Sequence, residues 1–290
     1  FDEKDYELST PDVEKTDALF MELEFRQMKA QFDKLYNPAA TSEESTKETS
    51  VVKKAPVKKS NDEQYDLFGF SDAEETTETH TSYYATLENT EHFYQNVQGD
   101  LPTKMFIQNL LNQTSVCFDT ETTGLDALNS ELVGMAFSWE KGKGFYVPFP
   151  ENQEEAQILV DKFKPFFENE NIEKVGQNIK YDIKILSQYG IEVKGNLFDT
   201  MIAHYLINPD MRHNMDVLSE TYLKYSPKSI TELIGKKGKN QGNMRDIPLD
   251  DIKEYAVEDA DVTIQLKNHF LPILEKVGTK KLYDEIEIPL

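Results

Sequence analysis

Residues 115–124 read SVCFDTETTG. The apolar run Ser115-Val116-Cys117-Phe118 has the pattern of a short strand buried in a sheet, and Asp119 and Glu121 follow at its end. Side chains alternate along a strand, so acids spaced i, i+2 point to one face. Two like charges side by side in a protein interior are costly unless a cation lies between them. A hard divalent ion with oxygen ligands, Mg2+ or Mn2+, meets that need. On its own the pair has a plainer explanation, because most D-x-E pairs are solvated surface. Its weight depends on which acids the rest of the chain brings to it.

Around this strand the pattern is that of a folded α/β domain beginning near residue 88. Glu131–Trp139 and Gly144–Val147 read as two further strands, joined as a hairpin through Gly142-Lys143-Gly144. Gln153–Phe167 reads as a helix, and Lys174-Val175-Gly176 as a strand leading into a helix through Tyr189. Leu197-Phe198 is a short strand before a helix at Thr200–Ile207, and Asp216–Leu223 and Leu249–Phe270 are further helices. This order predicts a mixed central β-sheet flanked by helices.

Ahead of the domain the composition changes. Residues 10–36 predict a helix, with Thr10-Pro11 as its cap and Thr16-Asp17 as a second start. Leu19, Phe20, Leu23 and Met28 give it an approximate apolar stripe. Residues 37–87 form an acidic stretch rich in Ser, Thr, Glu and Lys, a flexible linker that buries too little surface to offset its ordering entropy. One island, Gln64-Tyr65-Asp66-Leu67-Phe68-Gly69-Phe70, interrupts it.

Over the 290 residues, 53 acids face 31 basic residues, a formal net charge of −22. That balance is a poor footprint for gripping long duplex DNA. It is less damaging for a metal enzyme, whose cations offset the site carboxylates. The single cysteine, Cys117, excludes a disulfide framework within the chain and is expected in the core. No apolar stretch is long enough to span a bilayer, and the N-terminus lacks a signal pattern. A cytoplasmic protein is expected, and Phe1 in place of Met is expected of a fragment or a processed product.

Two more acidic patterns join the first. In Gly176-Gln177-Asn178-Ile179-Lys180-Tyr181-Asp182 a strand ends and a helix begins near Asn178, placing Asn178 and Asp182 on one helix face at i, i+4. The plainer reading is an amide cap followed by a solvated Asp. In Tyr255-Ala256-Val257-Glu258-Asp259-Ala260-Asp261, Tyr255 and Asp259 share a face of the long helix. A phenol one turn before a carboxylate can hold a water while the carboxylate holds a metal. Glu258 and Asp261 are expected to be ordinary acidic helix surface.

D-x-E on an early strand, N-x-x-x-D on a helix and Y-x-x-x-D on a late helix, in that order, resemble the tyrosine-bearing subgroup of the DEDD exonuclease superfamily. FDTETTGLD (118–126), VGQNIKYDIKIL (175–186), FDTMIAHYLINP (198–209), KGKNQ (237–241) and YAVEDADVT (255–263) are similar to the 3′→5′ exonuclease domain of bacterial family A DNA polymerases, the DNA polymerase I family, over roughly residues 88–280. DALFMELEFRQM (17–28) resembles the end of their 5′-nuclease region, and KLYDEIEIPL (281–290) the start of their polymerase domain.

The resemblance implies a ribonuclease H-like exonuclease fold at 88–280, a 5′-nuclease tail at 1–36 and the start of a polymerase domain at 281–290. It implies that Asp119, Glu121 and Asp259 bind one divalent metal and that Asp119 with Asp182 positions a second, Mg2+ or Mn2+ with Zn2+ admissible at one site. Tyr255 would orient the attacking water, and the two ions would clamp the attacking and leaving oxygens. The product would be a nucleoside 5′-monophosphate cut from a single-stranded or frayed DNA 3′ end. Thr122, Leu125, Gln177, Asn178, Lys180, Tyr181, Arg212 and His213 match positions around that strand, Leu125 as a wedge against the terminal bases. Plainer readings stand beside these: a core leucine at a turn for Leu125 and a surface histidine for His213. Lys236, Lys237 and Lys239 read as phosphate contacts or, more plainly, as a solvated basic loop. Mispaired ends fray at lower cost than paired ones, which would give selectivity without base readout.

The partners implied are DNA and the polymerase and 5′-nuclease domains of a longer chain. Gln64, Leu67 and Phe68 resemble the peptide by which bacterial replication proteins bind the sliding clamp, although Tyr65 stands where that peptide has Leu. The alternative is an apolar spot that tacks the linker onto the domain. Two rivals to the main reading are an RNA-trimming exonuclease of the same fold, like ribonuclease D, and a catalytically silent scaffold. All four acids and Tyr255 are present, which favours activity.

Overall fold

The computed structural model describes residues 11–22, 32, 36, 84–236, 238 and 241–290. It divides into two compact units, Phe1–Thr76 and Thr77–Leu290. Gln64, Leu67 and Phe68, nearly all of the expected linker, and Leu23 and Met28 of the expected stripe lie outside the described residues.

In the first unit helix α1 spans Val13–Glu22. The Asp12 carboxylate accepts the Lys15 N–H at 3.2 Å and pairs with the Lys15 ammonium at 2.8 Å. An acid ahead of the first turn satisfies one of its orphan donors, so the helix begins before Thr16. Thr10 is outside the described residues. Phe20 meets Phe32 edge-on at 5.6 Å, and Leu19 is exposed.

The second unit begins ahead of residue 88. The Ala85 N–H donates to Lys224 O at 3.0 Å, and the Ser226 N–H to Ala85 O at 2.8 Å. Its elements follow as β1 (Phe93–Asn96), α2 (Asp100–Leu110), β2 (Ser115–Thr122), β3 (Leu132–Glu140), β4 (Lys143–Pro148), α3 (Gln153–Phe167), β5 (Glu173–Gly176), α4 (Ile179–Gln188), β6 (Leu197–Asp199), α5 (Thr200–Ile207), α6 (Met215–Leu218), α7 (Ile230–Ile234), α8 (Leu249–Val277) and α9 (Lys280–Leu282). The strands form one sheet in the order β1-β4-β3-β2-β5-β6. β2, β3 and β4 form an antiparallel meander, while β1 joins β4, β5 joins β2 and β6 joins β5, all in parallel. The α/β fold with a mixed central sheet flanked by helices is thus borne out.

Each face of the sheet carries its own core. Val116 and Phe118 of β2 pack with Phe137, Phe163 and Phe167 on one side. Cys117 packs with Val257, Ala256 and Ala260 of α8 on the other. α8 lies close because β4 offers no side chain at Gly144. A Cβ there would sit 2.3 Å from Val257 Cγ1 and 2.9 Å from Phe137 O. Tyr283, beyond α9, is buried against Phe198 at 5.2 Å, and its hydroxyl accepts the Asp199 N–H at 2.6 Å.

Several elements differ from the expected ones. β2 runs through Thr122, so both acids lie within the strand. β1 and α2 had no counterpart in the sequence reading: β1 is a short edge strand with alternating partial exposure and no apolar run. α6 gives way to a wider π turn at Ser219–Leu223, ended by Lys224 at φ 55. α8 passes Phe270 and Pro272 and stops at Gly278, where φ is 78 and glycine tolerates the left-handed backbone. Among the described residues no helix is long and apolar enough to cross a membrane.

Candidate active site

Strand alternation decides which acids meet. Asp119 and Glu121 follow Cys117 onto the α8 face of β2, and Asp259 projects from α8 itself. One carboxylate oxygen from each lies within 4.8 Å of the others. Glu121 and Asp259 are buried and Asp119 is half-buried. Burial pushes the Asp119 carboxyl up to about 6. Burial, followed by the charges of Asp119 and Asp182, holds Glu121 well above the usual carboxylate range. Asp259 is raised well above that range by burial, then by Asp119, Glu121 and Glu258. Three carboxylates crowded together and destabilised in their charged forms are a donor set that a hard cation fits.

Asp182 arrives from the opposite side. Thr120 points away from α8, and the Asp182 carboxylate on α4 accepts its N–H at 2.9 Å and its hydroxyl at 2.5 Å. Burial and then Asp119 raise its pKa well above the ordinary value. Three of the expected acids therefore converge, and the fourth sits beside Asp119 without joining the cluster of three.

Asn178 does not share a helix face with Asp182. It stands before α4 at φ 57, and its side chain makes no cap bond. The cap belongs to Asp199, which the sequence reading passed over. Its buried carboxylate accepts the N–H groups of Ile179 at 2.8 Å and Asn178 at 3.3 Å, and those of Met201 at 2.8 Å and Ile202 at 3.2 Å. One acid thus caps both α4 and α5. The available signal was an Asp directly before the Thr200 helix.

Tyr255 is buried one turn before Asp259, as the spacing implied. Burial and then the neighbouring carboxylates raise its phenol well above the ordinary range. Glu258 and Asp261 are not helix surface. Glu258 is 0% exposed, accepting the Tyr225 hydroxyl and, at 2.9 Å, the Lys228 N–H. Asp261 is 4% exposed and accepts the Tyr94 hydroxyl at 2.8 Å, the Gly142 N–H at 2.9 Å and the Gln265 amide at 2.9 Å. Apart from Gln265, one turn further along α8, their partners lie far away in sequence, so local spacing could not reveal the burial.

Leu125 is 78% exposed on the loop after β2, which removes the core-leucine reading. The Tyr181 hydroxyl donates to Gly124 O at 2.6 Å and meets the Thr122 hydroxyl at 2.6 Å, so this pair braces the loop that presents Leu125. Lys180 is exposed, with its ammonium 3.3 Å from Leu290 O, and Arg212 is exposed. The Gln177 amide donates to His213 O at 2.7 Å. His213 is not a plain surface histidine: its Nδ1 lies 2.7 Å from Nδ1 of fully buried His204, whose Nε2 meets the Tyr222 hydroxyl at 2.9 Å. Burial, then His213, pushes His204 down to about 4, and burial lowers His213. His204 had no signal in a helix that reads as uniformly apolar. Lys236 is exposed, and Lys237 and Lys239 lie outside the described residues.

Residues 94–275 match a family model described as 3′-5′ exonuclease. DNA polymerase I of Borreliella burgdorferi is 31% identical over 234 residues, covering 80% of this chain and 25% of the relative. DNA polymerase I of Pseudomonas aeruginosa is 34% identical over 185 residues, covering 60% of this chain and 20% of the relative. The chain thus spans at most a quarter of the length of these curated relatives. Among solved structures, Brucella melitensis NrnC bound to pGG aligns with a TM-score of 0.52 at 20% identity, covering 67% of this chain and 87% of NrnC, a likeness of fold.

Proposed function

The chain belongs to the 3′–5′ exonuclease family of A-type DNA polymerases, and we propose that Asp119, Glu121, Asp182 and Asp259 hold two divalent cations for removing nucleotides from a DNA 3′ end. It is a metal-dependent 3′→5′ exonuclease domain related to those of DNA polymerase I. The observation that carries the site assignment is the convergence of Asp119, Glu121 and Asp259 within 4.8 Å from two separate elements.

Bound Mg2+ or Mn2+, with Zn2+ admissible at one position, would acidify the attacking water and stabilise the departing 3′ oxygen. Asp119, Glu121 and Asp259 would hold one cation, and Asp119 with Asp182 the other. Tyr255, one turn before Asp259, would orient the attacking water. Exposed Leu125 would press on the terminal bases. Thr122 and Tyr181 would keep its loop in place, and Gln177 would fix the backbone at His213 beside exposed Arg212. Asn178 and Lys180 complete the substrate surface. The product would be a nucleoside 5′-monophosphate, taken preferentially from frayed, mispaired ends.

DNA as substrate in preference to RNA, and a cytoplasmic setting, rest on the relatives being bacterial DNA polymerases. On the same ground residues 1–36 and 281–290 would belong to flanking 5′-nuclease and polymerase regions, with 37–87 as the linker and 88–280 as the exonuclease domain. Gln64, Leu67 and Phe68 would hook the linker onto a sliding clamp; a clamp-binding signal that survives Leu67→Ala with Phe68→Ala would end that idea. The main test is digestion of a 3′-labelled single strand, DNA against RNA, with Mg2+, Mn2+ or EDTA. Mononucleotide release from DNA, abolished by EDTA and by Asp119→Ala, is expected. Undiminished trimming in EDTA or in Asp119→Ala would overturn the reading, and a preference for the RNA strand would replace DNA as the substrate.

A further inference from the structure

Two fully folded-in acids, Glu258 and Asp261, flank Asp259 on α8 and take no part in the chemistry described above. Consecutive residues of a helix are about 100° apart around its axis. Glu258 therefore leaves α8 on a different side from Asp259, and Asp261 leaves it on nearly the opposite side. Each is met by donors from elsewhere in the chain. Glu258 takes the Tyr225 hydroxyl and the Lys228 N–H, while Asp261 takes the Tyr94 hydroxyl and the Gly142 N–H. These donors are linked through backbone pairings. Ala85, ahead of β1, bridges to Tyr225, and β1 pairs with β4 just past Gly142. Val257 fills the notch left by Gly144.

We infer that Glu258 and Asp261 are positioning residues: through Tyr94, Gly142, Tyr225 and Lys228 they fix the rotation of α8, and so the direction in which Asp259 and Tyr255 enter the metal pocket. The inference rests on the reading of Asp259 as a metal ligand. Its physical basis is leverage. A side-chain tip lies about 5.5 Å from a helix axis, so a rotation of about 2° moves it by ~0.2 Å, the whole tolerance of a metal–ligand distance. Apolar packing alone tolerates small rotations, whereas directional hydrogen bonds from two separate segments to neighbouring acids at i, i+3 oppose them. Buried carboxylates are a costly way to pin a helix unless angular precision is what they supply.

The test removes the donors and leaves α8 intact. Tyr94→Phe, Tyr225→Phe and their combination keep the rings and delete only hydroxyls. Mn2+ binding is followed by calorimetry, with kcat and KM on a 3′-labelled single strand and the melting temperature of each variant measured in parallel. The combined variant should raise the Mn2+ half-saturation several-fold, up to about tenfold, the lower end for direct partners of metal ligands and so the upper bound for groups one bond further out, with KM for DNA unchanged and kcat recovered at saturating Mn2+. If the combined variant melts below the assay temperature, each single variant should shift the half-saturation in the same direction. A fall in melting temperature with parental Mn2+ binding would mean a purely structural role and overturn the inference. Asp259→Ala separates the two readings. Loss of its Mn2+ response beside unchanged tyrosine variants sinks the inference alone, and parental Mn2+ binding in Asp259→Ala sinks the site assignment and the inference with it.

Discussion

Replacing Gly144 by alanine drives a Cβ to 2.3 Å from Val257 Cγ1 and 2.9 Å from Phe137 O. Carbon atoms in contact prefer about 3.5–4.0 Å, so one partner must retreat by roughly 1.2 Å or more. Val257 cannot simply turn aside, because β-branched residues in helices have one strongly preferred rotamer. The strand cannot yield easily either, because the second obstacle is backbone of β3. The helix must move, and Val257 is two residues from Asp259. Overpacking of this kind costs about 1–3 kcal/mol, and at about 2–4 °C per kcal/mol for a unit of this size the melting temperature should fall by roughly 2–12 °C. A displacement near 1 Å is several times the ~0.2 Å tolerance of a metal–ligand distance. The Mn2+ half-saturation of exonuclease activity should therefore rise at least about tenfold. Gly190→Ala is the control: Gly190 sits at φ 70 with nothing within 4 Å of an added Cβ. Backbone strain there costs about 1–2 kcal/mol and should leave the metal response alone. Parental melting and Mn2+ response in Gly144→Ala, or an equal metal defect in Gly190→Ala, would refute the reasoning.

Asp119→Asn should abolish hydrolysis yet raise the melting temperature in EDTA, since it removes a carboxylate whose charged form burial destabilises, and its elevation from 3.8 to about 6 corresponds to on the order of 1–3 kcal/mol; a lower melting temperature would count against that burial cost. The pH dependence follows from the same group. The folded state holds the Asp119 proton between 3.8 and about 6 while the unfolded state releases it, so metal-free stability should decline as pH rises through that window. Mn2+ competes with those protons, so its melting-temperature increment should be larger at pH 7.5 than at pH 5, and an increment independent of pH would contradict the assignment. Leu125→Ala should leave melting nearly unchanged, because the side chain is 78% exposed, while raising KM for a single strand about fivefold; an unaltered KM would remove the wedge.

The fold and the main acids were legible because their signals are local. The apolar run before Asp119, the i, i+2 spacing to Glu121 and the turn from Tyr255 to Asp259 each specify a face without knowledge of the rest of the chain. Glu258 and Asp261 were misread for the converse reason. In sequence they look like the polar half of an amphipathic helix, and only Tyr94, Gly142 and Tyr225, brought in by the sheet and the segment beyond α6, turn that half inward. Asn178 was misplaced because a left-handed residue before a helix has no spacing signature. β1 escaped notice because an edge strand needs no apolar run, and His204 because its partners His213 and Tyr222 become neighbours only after the helices pack.

The two-sided character of β2 also bears on how the chain reaches its native state. Sliding this strand by one position against its neighbours would turn Asp119 and Glu121 into the layer of Phe137, Phe163 and Phe167, and Phe118 toward Ala256 and Ala260. Carboxylates stranded among aromatic rings would be strongly unfavourable, so mispaired intermediates are penalised before any cation is present. The residues assigned to cutting DNA would then also guard the alignment of the strand during folding, and changing them to neutral isosteres should make wrong alignments more accessible even as the finished fold becomes more stable.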